Sequence, residues 1–210
     1  MNKLIYGMAV NDANYKLSKR KRLSNGVCKK VWECPFYSKW VGMLTRCYSK
    51  AEHKRRPSYS DCTVCKDWLL FSNFKKWMEK EDWLGKDLDK DLFGKGNKEY
   101  SPLTCVFISP ELNSFLGLNP SKRGNLPLGV SFNVKKDRYR SRIKLEGKEN
   151  HLGTYDTILE AHYAWQVAKI EVAKVHIRET EDTRVVNLLE RLIGNIKEDI
   201  ERNSYTERWR

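Results

Sequence analysis

Histidine is scarce in this chain: there are four in 210 residues, and only His53 lies in the first half. That scarcity bears on function. A cysteine or serine nucleophile needs a partnered base. Long apolar runs are also missing. None approaches the roughly 18 residues needed to cross a bilayer, so no membrane partner is expected. The opening stretch, MNKLIYGMAVNDANYK, has no uninterrupted apolar core and no small-residue cleavage site. It does not read as a secretory signal, so a cytoplasmic chain (the host cytoplasm, if phage-encoded) with reduced thiols is expected. No internal repeat is visible. A disordered composition is absent too, because seven Trp, ten Tyr and seven Phe supply material for cores.

What is present is positive charge. The net charge is +13, and it is not spread evenly. Residues 1–60 carry +11 and residues 118–150 carry +6, whereas 61–117 carry −2, 151–178 are neutral and 179–210 carry −2. Two cationic blocks on a near-neutral background suit an electrostatic footprint for phosphates.

The pattern along the chain predicts an α+β protein. Residues 1–30 form a basic arm holding Lys19-Arg20-Lys21-Arg22, either flexible or folded as an early hairpin. Trp40, Met43, Leu44 and Cys47 recur at helical spacing and predict a helix over about 36–49. Residues 51–60, with Pro57, suit a loop. Leu70, Phe71, Phe74, Trp77 and Met78 share a face and predict a helix over 67–78, with Asp67 as its N-cap. Short strands are expected near 86–93 and 104–108, and a short helix over 110–117. The first module thus spans 31–118, and 119–127, with two prolines and a glycine, is the expected linker. Residues 128–155 read as three β segments joined by two polar turns. A helix over 156–176 follows, with Asp156 or Thr157 as cap and Glu160 near the capping-box position. Its apolar face carries Ala161, Ala164, Trp165, Ala168 and Val172, and 128–178 closes as a second module. Within 179–210, Val185, Leu189, Leu192, Ile196 and Ile200 predict a last amphipathic helix over 183–202. That stripe either docks on the chain or pairs with a second copy as a homodimer.

The middle β segment carries the functional reading. Side chains alternate along a strand, so Arg138, Arg140, Arg142 and Lys144 fall on one face, with Tyr139, Ser141, Ile143 and Leu145 on the other. Neighbouring cations at about 6.5–7 Å repel one another. A polyanion laid across that face makes the arrangement favourable. Lys135 and Lys136 in the preceding turn and Lys148 in the next extend the patch. Arginine suits base reading as well as phosphate contact, because its planar fork bonds a guanine edge in bidentate fashion.

Those residues belong to a longer pattern: Gly129-Val130, Tyr139-Arg140, Leu152-Gly153-Thr154-Tyr155, then Thr157 through Glu160-Ala161, with Ala164 and Ala168 following. Over about 50 residues this resembles the plant Apetala/ethylene-response-factor type of DNA-binding domain. The resemblance implies a three-stranded antiparallel sheet packed on one helix, with the sheet in the major groove of duplex DNA. It assigns contacts to Arg138, Arg140, Arg142 and Lys144, with Tyr139 and His151 at positions where the plant proteins carry Trp. The plant target sequence therefore does not transfer. In phage and mobile-element proteins such a domain often follows an HNH-type nuclease module. Leu88-Asp89-Lys90-Asp91, Asn97, Tyr100-Ser101-Pro102, Cys105 and Asn113 resemble a diverged form of that module over about 32–116. The family's histidine beside the first-strand aspartate is missing, and flanking carboxylates favour the charged form of Lys90 over a basic one. His53 sits in an expected loop, as a solvent residue. Asp89, Asp91, Asn97 and Asn113 remain the candidates if the module is a nuclease, which would need a divalent metal.

Cys62-Thr63-Val64-Cys65 has metal-ligand spacing, but no second pair matches it. Cys28, Cys34, Cys47 and Cys105 are scattered. Either Cys62 and Cys65 join two of these around a structural zinc, or all six are free thiols. Three functions stay open: a duplex DNA-binding protein of phage or mobile-element type, which the residues favour; an active HNH-like homing endonuclease; and an inhibitor that binds an acidic host protein acting on nucleic acid.

Overall fold

A computed structural model describes residues 4–93, 96–117, 125–145 and 147–207. The chain is α+β and divides into two compact units, Met1–Ser109 and Pro110–Arg210. Residues 119–124 of the expected linker lie outside the described residues.

In the first unit the basic stretch is a hairpin. Strand β1 (Ser18–Arg22) pairs antiparallel with β2 (Cys28–Glu33). Helix α1 (Pro35–Tyr48) follows, with Trp40, Met43, Leu44 and Cys47 all buried as their spacing predicts. The expected loop over 51–60 is instead helical at its start. α2 (Lys50–Arg55) is capped by Ser49, whose side chain accepts from Glu52 N–H. His53 lies on α2, with Nε2 3.0 Å from the Arg46 carbonyl, so it is not a loop residue. A 3-10 turn over Pro57–Tyr59 and strand β3 (Thr63–Val64) come next.

The helix expected over 67–78 is broken. Lys66–Leu69 form a 3-10 turn, Leu70 is extended, and helix α3 covers only Phe71–Met78. The cause is a segment about sixty residues upstream. Val10 N–H donates to the Leu69 carbonyl at 2.8 Å, and Phe71 N–H donates to the Val10 carbonyl at 3.1 Å. These bonds hold residue 70 in an extended bridge to Val10. Asp67 makes no side-chain cap. Asp12 does so from a distance, accepting from Ser72 N–H at 2.9 Å. Residues ahead of the hairpin are thus part of this unit's core, where Ala9 is fully buried. Strand β4 (Asp87–Asp89) pairs antiparallel with β6 (Val106–Ile108), and β5 (Glu99–Tyr100) pairs parallel with β3. Trp40, Trp68, Phe71, Phe74, Met78 and Tyr100 fill the core.

The second unit opens with α4 (Pro110–Leu116), a helix the sequence reading put in the first module. Strands β7 (Val130–Asn133), β8 (Arg138–Leu145) and β9 (Lys148–Tyr155) form an antiparallel sheet in that order. Helix α5 (Ile158–Glu179) packs on it. Thr157 and Glu160 complete a capping box at its start. Helix α6 (Thr183–Glu201) lies against α5, with Val185, Leu189, Leu192 and Ile196 of the expected stripe buried and Ile200 half-buried. Among the described residues no helix is long and apolar enough to cross a membrane.

Candidate nucleic-acid interface

Two glycines shape the sheet. Gly129, just before β7, has φ +75°, and a Cβ there would lie 2.0 Å from Trp165 Cδ1 of α5. Gly153 in β9 has φ +151°, and a Cβ there would lie 2.6 Å from the Tyr155 hydroxyl. Both positions need a residue without a side chain, for conformational freedom and for close approach. They are the glycines of the Gly-Val and Leu-Gly pairs singled out in the sequence. The β8–β9 register shifts between Ser141 and Arg142, leaving Leu152 as the extra residue beside Gly153.

The alternation expected along β8 holds. Ser141 and Ile143 are buried on the side that α5 covers, while Arg138 and Lys144 are exposed and Arg140 and Arg142 half-buried. Directly opposed residues in antiparallel strands share a face. Arg140 therefore sits between Ser131 of β7 and Thr154 of β9, Arg142 opposite His151, and Lys144 opposite Glu149. Tyr139 belongs to the other side, where its ring lies 5.1 Å from that of Phe132. It does not share the face of Arg138 and Arg140. Lys135 and Lys136 are exposed in the β7–β8 turn. Lys148, expected in the second turn, is the first residue of β9.

The face is less uniformly cationic than its strand alone suggests. Arg138 pairs with Asp156 at 2.5 Å. Arg142 pairs with Glu149 at 2.6 Å and donates to Ser131 Oγ at 3.0 Å. Among the described residues Arg140 and Lys144 make no ion pair. His151 is exposed, with Nε2 3.4 Å from Thr154 Oγ1. Ser131, Glu149, Thr154 and Asp156 are thus part of the surface, a placement the sequence does not assign to any of them. The only signal for them was cross-strand register, which depends on turn length.

Behind the sheet the support is polar and buried. His162 of α5 has no exposed surface. Its Nδ1 lies 2.9 Å from the Leu128 carbonyl, and its Nε2 accepts from Thr206 N–H at 2.9 Å. A carbonyl only accepts, so Nδ1 carries the proton and the ring is neutral. Burial holds its pKa below the ordinary value. Gln166 donates to the Ser204 carbonyl and to Thr206 Oγ1, and Thr206 Oγ1 donates to Asp199 at 2.8 Å. The entry to β7, the middle of α5 and the segment after α6 are tied into one bonded set.

The nuclease candidates have a different fate. In the first unit Asp89, Asp91 and Asn97 do come together, but around a buried lysine. Lys90 donates to the Asp91 carboxylate and, at 3.0 Å, to the Asn97 carbonyl. Asp91 N–H donates to Asp89 Oδ1 at 2.8 Å, and the Asn97 amide donates to the Lys90 and Glu99 carbonyls at 2.9 Å each. These bonds tie residues 89–91 to Asn97 and Glu99. Asn113 lies on α4, in the second unit. Cys62 is buried in the first unit's core and Cys65 is half-buried against it. Burial pushes both thiols above their ordinary pKa, and Cys47 and Cys105 up to about 12. Among the described residues no three His, Cys, Asp or Glu side chains form a set that could hold a metal ion.

What the fold defines is an α+β chain whose second unit is a three-stranded antiparallel sheet backed by one helix, with an arginine-bearing outer face. No protein family, no curated protein and no solved structure matches the chain.

Proposed function

We propose that the chain binds duplex DNA by laying the outer face of β7–β8–β9 into the major groove, as the resemblance to the Apetala/ethylene-response-factor type of domain implies. One observation carries the reading: Arg140, at the centre of the sheet, has a hydroxyl residue on each side and no acidic partner among the described residues. An unpaired guanidinium flanked by Ser131 and Thr154 is placed to bond a guanine edge or a phosphate. Arg142 is oriented by Glu149 and Ser131, which fixes its fork at the cost of part of its charge. Arg138 and Lys144 frame the pair. On this reading the Asp89–Asp91 turn is a structural remnant of a nuclease-like scaffold, and the protein binds without cutting.

The direct test is titration of the full chain with duplex DNA at about 150 mM salt, where nonspecific phosphate binding is weak. Arg140→Ala is expected to cost about 1–3 kcal/mol, roughly 5- to 150-fold in affinity. Lys144→Ala is expected to lower affinity equally for all sequences and to flatten the salt dependence. Affinity unchanged by Arg140→Ala would overturn the proposal.

A further inference from the structure

The sheet leaves the largest concentration of charge unused. Residues 18–33, the β1–β2 hairpin, contain Lys19, Arg20, Lys21, Arg22, Lys29 and Lys30 against Glu33 alone. All of β1 and every residue of β2 but the last are exposed, so both faces of the ribbon are open. The register sets Arg20 opposite Lys30 and Lys21 opposite Lys29. Like charges directly opposite one another destabilise a sheet, and a two-stranded ribbon is marginal to begin with. Among the described residues only Lys30 of these six makes an ion pair, with Glu33 at 2.7 Å.

The ribbon is nevertheless built to stay formed. Its turn is closed by Gly26 N–H donating to the Leu23 carbonyl at 3.0 Å and Leu23 N–H donating to the Val27 carbonyl at 2.9 Å. Gly26, at φ +79°, takes the left-handed position that such a loop requires. At the base, Cys34 N–H donates to the Leu17 carbonyl at 2.8 Å, and both residues pack on the first unit's core. A shaped, anchored element that opposes cation to cation on both faces is complementary to a polyanion.

We propose that this ribbon is a second, sequence-independent contact to the sugar–phosphate backbone of a DNA duplex. The proposal rests on the DNA-binding reading above, but on different residues. Phosphate contact, not base reading, is assigned because the cations point to both sides of a narrow ribbon and four of the six are lysines, which act as point charges.

The test uses the full chain with Arg20, Lys21, Lys29 and Lys30 all changed to Thr, which keeps strand propensity. The probe is a labelled mixed-sequence duplex, titrated between about 50 and 200 mM salt. Each phosphate contact contributes about 0.9 to the slope of log affinity against log salt. The fourfold variant is expected to flatten that slope by up to about 3.6 and to bind at least about tenfold more weakly at the low-salt end, with sequence preference unchanged. The pair Lys21→Thr and Lys29→Thr, on one face only, is expected to give about half that change in slope. It serves as the reference if the fourfold variant melts early. Wild-type slope and affinity in both variants would overturn the ribbon alone. Loss in the ribbon variants with none in Arg140→Ala plus Arg142→Ala would support the ribbon and overturn the sheet reading. No duplex binding by the wild-type chain would overturn both.

Discussion

Lys169 shows how much a single side chain can cost. It is buried in the second unit, with Nζ donating to the Phe115 carbonyl at 2.7 Å and lying 3.6 Å from the centre of the Phe115 ring. Burial drives its pKa down to about 6, so near neutral pH the amine is mostly uncharged and the ring contact is packing. In the unfolded chain a lysine titrates near 10.4. Between those two values the unfolded state binds the extra proton, and stability must rise with pH. The second unit is expected to gain up to about 1.4 kcal/mol per pH unit between pH 6.5 and 9, measured by urea unfolding. Lys169→Met should remove that slope, and a wild-type unit with no slope would contradict the assignment. His162 and His176, both held below the ordinary histidine value by burial, act in the same direction on the acid side. Gly129 is constrained by shape instead of charge. Gly129→Ala would drive a methyl into Trp165 at a backbone angle that alanine disfavours. A loss of about 3 kcal/mol or more is expected in thermal or urea melts. A wild-type melt would show that α5 does not hold the sheet as described.

Elements were legible where the deciding interaction is local. The 3.6-residue spacing of Trp40, Met43, Leu44 and Cys47 marked α1, and the stripe from Val185 to Ile196 marked α6. The Thr157–Glu160 capping box marked the start of α5, and two-residue alternation marked β8. Failures came where a distant segment decided. Nothing near residue 70 signals that Val10 will take its backbone bonds, and nothing near Ser72 signals that Asp12 will cap it. Asp12→Ala is accordingly expected to cost about 1 kcal/mol of first-unit stability and Asp67→Ala close to none, in paired urea titrations. The reverse order would restore the local cap. The candidate site divides the same way. Arg140 and Lys144 could be read from one strand, whereas the pairing of Arg142 with Glu149 and of Arg138 with Asp156 follows from register and from the chain's path into α5. In the first unit Asp89, Asp91 and Asn97 lie together, bonded to one another and to the buried Lys90 between them, an arrangement that side-chain and backbone bonds across residues 89–99 decide.

At the scale of the molecule, the net charge of +13 includes two cationic surfaces of different character. The ribbon of the first unit is dense in lysine and bare of acid except Glu33. The sheet of the second unit is sparser, with Arg138 and Arg142 fixed by Ser131, Glu149 and Asp156 and Arg140 between them without an ion pair among the described residues. Dense, unpaired charge suits affinity for any duplex, and oriented arginine suits discrimination between duplexes. The central claim, that the sheet reads DNA, is tested most directly by selecting bound sequences from a pool of random duplexes at about 150 mM salt. The expected result is an enriched motif that loses its preference at one or two guanine positions when Arg140 or Arg142 is changed to Ala. A wild-type chain that retains no duplex, or whose enriched motif is the same with and without Arg140 and Arg142, would contradict it.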